Sequence, residues 1–131
     1  METIRTIAWM KEMARQAHAE DRIVGLVPTM GALHAGHTSL IERAKRDCSP
    51  VIASLFVNPK QFGPNEDFAK YPRTFESDRE KLEQAGVDAL FAPEPAEIYP
   101  KDFSTYVNVE GLTERLEGRS RPGHFRGVAT V

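Results

Sequence analysis

The residues best suited to chemistry in this chain are two histidines and a glycine in the run Pro28-Thr29-Met30-Gly31-Ala32-Leu33-His34-Ala35-Gly36-His37. His34 and His37 stand three positions apart, so at the start of a helix their rings share one face. A helix N-terminus offers backbone N–H groups without partners and the positive end of the dipole, and both favour an anion. The dipole alone contributes only ~0.3–1 kcal/mol. Imidazole N–H donors reaching the same anion would add charge-assisted hydrogen bonds, the stronger kind. Gly36 lacks the side chain that would hold a nucleotide away from the helix backbone. Such an arrangement suits the holding of a triphosphate. The residues by themselves leave a plainer alternative open, with His34 as a turn residue and His37 as a partly buried core histidine.

Two further segments carry polar chemistry. Asn58-Pro59-Lys60-Gln61-Phe62 follows an apolar run. In open α/β sheets ligands bind outside the C-terminal ends of strands. Gln61 has donors and acceptors for a substrate with hydroxyl and carboxylate groups, although a surface glutamine would look the same. Arg119, Arg121, His124 and Arg126, within the glycine-bearing stretch from Gly118 to Gly127, form either a cationic lip for phosphate or carboxylate or a set of solvated loop charges. A zinc site is not indicated. The His-Glu-x-x-His spacing is absent, and Cys48 and His124 stand in no ligand spacing. Cys48 has no base beside it in sequence, which argues against a nucleophile.

The elements that must position these residues follow from periodicity. Thr6 precedes Ile7, Met10, Met13, Ala14 and Ala17, which predicts an amphipathic helix to about residue 19. Residues 23–27 read as a strand closed by Pro28, which cannot donate to a ladder. A helix over about 34–46 follows, with Leu33, Leu40, Ile41 and Ala44 on its apolar face. Residues 51–57 are apolar without alternation, as in a strand buried on both faces of a parallel sheet. A long polar loop runs through Gly63 and Pro64 to Pro72, and loops of that length tend to be functional. From Thr74 the stripe Phe75, Leu82, Ala85 predicts a helix with Ser77 and Glu80 as a capping box and Gly86 beyond its end. Residues 88–92 form a short strand stopped by Pro93. Tyr106 to Val109 read as an edge strand, Leu112 to Leu116 as a helical turn, and the residues after Gly127 as the opening of another helix. Alternating strands and helices with short links predict a doubly wound α/β domain with a parallel sheet.

Composition sets the boundaries. A chain of 131 residues fits one domain. Hydrophobic residues at 40% and a net charge of −2 fit a globular protein and favour neither nucleic acid nor a membrane surface as partner. A single cysteine permits no intrachain disulfide, and the N-terminus has no secretory pattern, so a cytoplasmic setting is expected.

Read together, these segments resemble the pantothenate synthetase (pantoate–β-alanine ligase) family. The resemblance runs from about Ile4 to Val131. It rests on the Pro28–His37 motif, on Phe56-Val57-Asn58-Pro59-x-Gln61-Phe62, and on Tyr71-Pro72-Arg73-Thr74. It continues through Phe91-Ala92-Pro93 with Ile98-Tyr99-Pro100, Leu116-Glu117-Gly118, and Arg121-Pro122-Gly123-His124-Phe125-Arg126-Gly127-Val128. His-x-Gly-His alone is shared across a broad nucleotidyltransferase superfamily; the whole set is far more specific.

The resemblance implies a Rossmann-like fold and a two-step reaction. Pantoate attacks the α-phosphorus of ATP to give pantoyl adenylate and pyrophosphate, and β-alanine then displaces AMP. It implies that Met30, Gly31, Ala32, Leu33, His34, Ala35, Gly36 and His37 line the ATP site, with His37 and His34 catalytic and His37 a proton donor. It implies Gln61, Pro28, Met30 and Asn58 as substrate contacts for pantoate and β-alanine, with Arg121 and His124 near the β-alanine approach. ATP implies Mg²⁺, bridging phosphates rather than held in a protein cage, and the family implies a homodimer. Members run to about twice this length, with a Lys-Asp segment and a Ser-Ser-Arg loop in the second half. Residues 1–131 are therefore expected to be an incomplete N-terminal nucleotide-binding domain, ending before the last strand or strands, without the C-terminal domain and inactive or weakly active alone. Two other readings stay in view: another His-x-Gly-His nucleotidyltransferase, and a non-catalytic binding or dimerisation module.

Overall fold

The structure is a computed structural model of residues 1–131. It describes every residue except Pro64, Asn65, Asp67, Arg73 and Leu112, and the backbone only of Ala69. The expectations that name Pro64, Arg73 and Leu112 lie outside the described residues.

Four parallel strands form one sheet in the order β1-β4-β3-β2. They are β1 (Glu2–Ile4), β2 (Gly25–Thr29), β3 (Val51–Leu55) and β4 (Ala89–Phe91). Helix α1 (Ile7–Ala19) links β1 to β2 from edge to edge, while α2 (Ala35–Asp47) and α3 (Phe75–Gln84) link β2 to β3 and β3 to β4. Right-handed crossovers that travel in opposite directions put their helices on opposite faces. The core follows this rule. Val51 and Ala53 of β3 pack with Leu33, Ile41 and Leu82 on the α2–α3 face, whereas Ile52 packs with Met10 and Met13 of α1. Strand β3 is apolar at successive positions because both its faces are covered. Complete burial of Ile41 and Leu82 stabilises the α2–α3 layer by about 1.5–3 kcal/mol each.

After Phe91 come the short helices α4 (Pro95–Ile98) and α5 (Glu117–Ser120), then α6 (His124–Thr130). Helix α6 lies against a 3₁₀ turn at Pro59–Gln61. Gly127 makes this possible, since a Cβ there would stand 2.1 Å from the Lys60 carbonyl oxygen.

Several expectations need correction. Pro28 does not end its strand: it lies inside β2, opposite Ser54. The Gly25 N–H donates to Pro50 and the Thr29 carbonyl accepts from Phe56, so odd positions face β3. Pro28 points its missing N–H toward the open edge, where it costs nothing. Ser77 and Glu80 make no cap, because α3 begins two residues earlier, after Thr74. Leu40 is 55% exposed and lies off the apolar face that buries Ile41. Residues 106–109 are not a strand. The Val107 N–H donates to the Thr130 hydroxyl of α6 at 3.0 Å, and a chain tied to a helix side chain joins no ladder there. The long loop after β3 holds 3₁₀ turns at Pro59–Gln61 and Phe68–Lys70. Residues 113–116 form turns and a bend, and helix begins only at Glu117. The strand β1 has no counterpart in the sequence reading, since three residues are too few to show a period.

Candidate active site

The turn between β2 and α2 is built around backbone that resists its own geometry. Gly31 has φ +91° and Ala32 φ +52°, and a left-handed conformation is strained for alanine. Asp78, fully buried on α3, offsets that strain. Its Oδ2 accepts from the Ala32 N–H at 2.9 Å and from the Thr74 hydroxyl at 2.9 Å, and its Oδ1 accepts from the Leu33 N–H at 2.8 Å. Lys81, one turn on, donates to the Leu33 carbonyl at 2.9 Å. A Cβ on Gly31 would come within 3.1 Å of Asp78 Oδ2, so glycine both adopts the turn and leaves room for the carboxylate. A buried charge is tolerated only when hydrogen bonds meet it, as they do here.

The same turn delivers the histidines. His34 is the N-cap of α2, and its Nδ1 accepts from the Gly36 N–H at 3.1 Å. His37 Nδ1 accepts in return from the His34 N–H at 3.3 Å. The pair is a capping box made from two imidazoles, with ring centroids 4.2 Å apart. Gly36 also leaves room for the cap, since a Cβ there would sit 2.9 Å from the His34 ring. An Nδ1 that accepts carries no proton, so in the neutral ring the proton resides on Nε2. Both rings therefore present Nε2–H as a donor, with His34 exposed and His37 half-buried. Burial, with the neighbouring His34 second, pushes the His37 pKa below its usual 6.5, while Asp78 pulls the other way. His37 is thus neutral at pH 7, and Nε2–H is its form.

Gln61 occupies the 3₁₀ turn at the end of β3, next to β2 in the sheet. Asn58, only 1% exposed, sets it. The Asn58 amide donates to Gln61 Oε1 at 2.9 Å and to the Gly127 carbonyl at 3.0 Å, while its oxygen accepts from Tyr99 OH at 2.8 Å and Lys60 N at 3.1 Å. Asn58 is consumed in positioning. Gln61 is left with its Nε2 amide, which has no partner among the described residues.

The expected residues fall into three places. A cleft of about 540 Å³ between the Pro59–Gln61 turn and α5–α6 brings together Gln61, Arg121 and His124. A smaller cavity of about 180 Å³ is lined by Met30 and Gly31 with Phe56, beside the Asp78 clamp. His34 and His37 line neither and stand at the helix start, above the C-terminal end of β2. Pro28 is exposed on the open edge of β2, Ala35 and Gly36 are exposed in the first turn of α2, and Ala32 is half-buried in the strained turn. The Leu33 side chain is buried in the core, so only its backbone faces the turn. Arg119 is exposed on α5, and Arg126 stacks on Tyr106 at 4.0 Å.

Sequence reasoning missed Asp78, Lys81 and Glu66. An aspartate in the first turn of a helix is what the helix dipole favours anywhere. Its 46-residue separation from Ala32 carries no local signature.

Comparison with known proteins agrees with this architecture. A family model described as pantoate-beta-alanine ligase matches residues 2–131. The chain is 57% identical over all its length to a pantothenate synthetase of Koribacter versatilis, covering 45% of that protein, and 58% identical to one of Moorella thermoacetica, covering 46%. It thus spans less than half the length of these curated relatives. Among solved structures, pantothenate synthetase from Thermus thermophilus superimposes with a TM-score of 0.87 at 53% identity, over 99% of this chain and 46% of that one. A pantoate-beta-alanine ligase from Francisella tularensis, solved in complex with beta-gamma ATP and beta-alanine, gives 0.87 at 41% identity, over 97% of this chain and 49% of that one. With the family model matched over all but one residue and the solved relatives superimposing at a TM-score of 0.87, the protein belongs to the pantoate–β-alanine ligase family.

Proposed function

We propose that this chain carries the ATP- and pantoate-binding residues of an ATP-dependent pantoate–β-alanine ligase. The observation that carries the reading is the imidazole capping box, which uses both Nδ1 atoms at a helix N-terminus and leaves both Nε2–H groups without a partner among the described residues. Such fixed donors suit an anion whose charge grows on the phosphate oxygens during attack at the α-phosphorus. In the first step a carboxylate oxygen of pantoate bonds to the α-phosphorus, and pyrophosphate leaves with the bonding electron pair. In the second, the β-alanine amine attacks the pantoyl carbonyl, AMP departs and the amine loses a proton.

Within this scheme His34 and His37 bind the phosphates and His37 donates its Nε2 proton toward the leaving oxygen. Gln61, held by Asn58, offers its amide N–H groups to the pantoate hydroxyl and carboxylate. Met30 supplies apolar contact beside Gly31, and Pro28 borders the turn. Arg121 and His124 stand ready for the second substrate. Mg²⁺ enters as part of MgATP. Asp78 has both oxygens occupied by Ala32, Leu33 and Thr74 and offers the ion no ligand, which fits a metal carried on the phosphates.

A homodimer and a cytoplasmic setting complete the proposal. Ile23 and Leu26, 65% and 61% exposed beside and on the open strand β2, are apolar surface suited to further protein contact. No helix among the described residues is long and apolar enough to cross a membrane. Calorimetry with MgATP and with pantoate tests the reading. Heat is expected with each, and the MgATP affinity falls about 10-fold in His37→Ala; no heat with either ligand overturns the proposal.

A further inference from the structure

The larger cleft already contains a carboxylate, and it is the protein's own. Arg121 meets both oxygens of Glu66, through Nε to Oε1 and through Nη2 to Oε2 at 3.1 Å. Two parallel N–H···O bonds are the geometry in which a guanidinium recognises a carboxylate. The remaining nitrogen, Nη1, lies 3.6 Å from Glu117. Neither partner is sealed: the Arg121 side chain is 31% exposed and that of Glu66 28%. The pair is half-buried and borders the cleft, so an entering ligand can reach it.

The recognition element is attached to the Gln61 turn. His124 Nδ1 lies 2.8 Å from the Gln61 carbonyl oxygen, which can only accept, so His124 donates there. Arg121 Nη2 reaches the same oxygen at 3.4 Å. Lys60 and Arg126 flank Tyr106 on the same cleft, with the ammonium 5.3 Å and the guanidinium 4.0 Å from its ring. Without Glu66 the cleft would hold Lys60, Arg121 and Arg126 against Glu117, an excess of basic side chains that draws in anions. Arg121 and the Gly63 N–H lower the Glu66 pKa to about 2, so the occupant is ionised at neutral pH.

We propose that Glu66 is an internal surrogate ligand: it holds Arg121 in the fork geometry and is displaced when the carboxylate of the amino-acid substrate enters the cleft. The identity of that substrate as an amino acid rests on the ligase reading above; the competition between carboxylates does not. The step forms and breaks only hydrogen bonds.

The experiment titrates this chain by calorimetry with propionate, with β-alanine and with β-alaninamide, which lacks the carboxylate, and separately with MgATP and with pantoate. Removing a tethered competitor should tighten both carboxylates by roughly 5–10-fold in Glu66→Gln and again in Glu66→Ala. β-Alaninamide should gain nothing, and Arg121→Met in the Glu66→Gln background should abolish the gain. Unchanged or weaker propionate binding in both Glu66 variants overturns the proposal, as does an equal gain for the amide. If neither MgATP nor pantoate gives heat while the propionate gain persists, the ligase reading falls and the surrogate ligand stands. If MgATP binds and the gain is absent, the reverse holds.

Discussion

The turn that opens α2 is fixed from beneath by a buried carboxylate, whereas the cleft beside α5 and α6 is fixed across its mouth by a half-buried ion pair and stacked rings. Asp78 has no solvent exposure and anchors two backbone N–H groups of the turn. Glu66 and Arg121 stay in contact with water, and Lys60 and Arg126 hold Tyr106 through its ring faces. Both regions are arranged around a negative charge. A buried, fully hydrogen-bonded carboxylate specifies one backbone conformation, because each alternative leaves a desolvated charge. A half-buried pair that borders a cleft fixes two side chains and no backbone, and an entering carboxylate can take the place of its own. The difference suits a site in which phosphate donors are preformed and a smaller substrate must displace something to enter.

Mutation at each region sharpens this contrast, and the largest effect is expected at Asp78. Asp78→Ala leaves the Ala32 and Leu33 N–H groups without their acceptor and should cost about 3 kcal/mol or more in urea unfolding. A loss within ~0.5 kcal/mol would mean that the turn is self-supporting. Next, Gly127→Ala drives a methyl into the Lys60 carbonyl and should cost about 2 kcal/mol, with Gln61 amide resonances displaced in the NMR spectrum. Unmoved resonances would separate α6 from the Gln61 turn.

A smaller effect is expected at the histidines. His37→Ala should weaken MgATP about 10-fold, equivalent to about 1.4 kcal/mol, with the fold retained by circular dichroism. The folded-state pKa of His37 is lowered, so its contribution to stability is complete above its ordinary value near 6.5 and is lost as pH falls through the lowered folded value. Once protonated, Nδ1 cannot accept the His34 N–H, and the cap loosens by less than about 1 kcal/mol. NMR titration of the imidazole would show this, and MgATP should raise the pKa; no change on adding nucleotide would place the phosphates elsewhere.

Smallest of all, Arg121→Met should move the melting temperature by no more than about 2 °C at pH 7. The Glu66 pKa is also lowered, so its pair with Arg121 persists above the usual carboxylate range and disappears only as pH falls toward about 2. A large loss of stability in Arg121→Met would make the cleft as rigid as the turn and end the contrast.

Much of the scaffold was legible because local pattern and tertiary burial agree. The 3.6-residue stripe of α1 and the unbroken apolar run of β3 report directly on what each face touches. The His34–Gly36–His37 spacing was legible too, as three residues within one helical turn. Pro28 was misplaced because its penalty depends on which side of the strand has a neighbour, a fact of strand order alone. Tyr106 to Val109 were misplaced because β-branched and aromatic residues in alternation fit a ring stack with Lys60 and Phe103 as readily as a ladder.

By itself the sequence determined helices α1 to α3, strands β2 to β4 between them and the paired imidazoles at a helix start, since each follows from interactions among residues close in the chain. Only the tertiary structure decided that Asp78 holds the strained turn, that Asn58 orients Gln61, and that Glu66 occupies Arg121. These contacts join residues 46, 3 and 55 positions apart. Even the short one depends on α6 packing its Gly127 carbonyl against the Asn58 amide. Chain proximity sets which helices and strands can form; which polar groups meet is set by the packing of layers, and no local period records it.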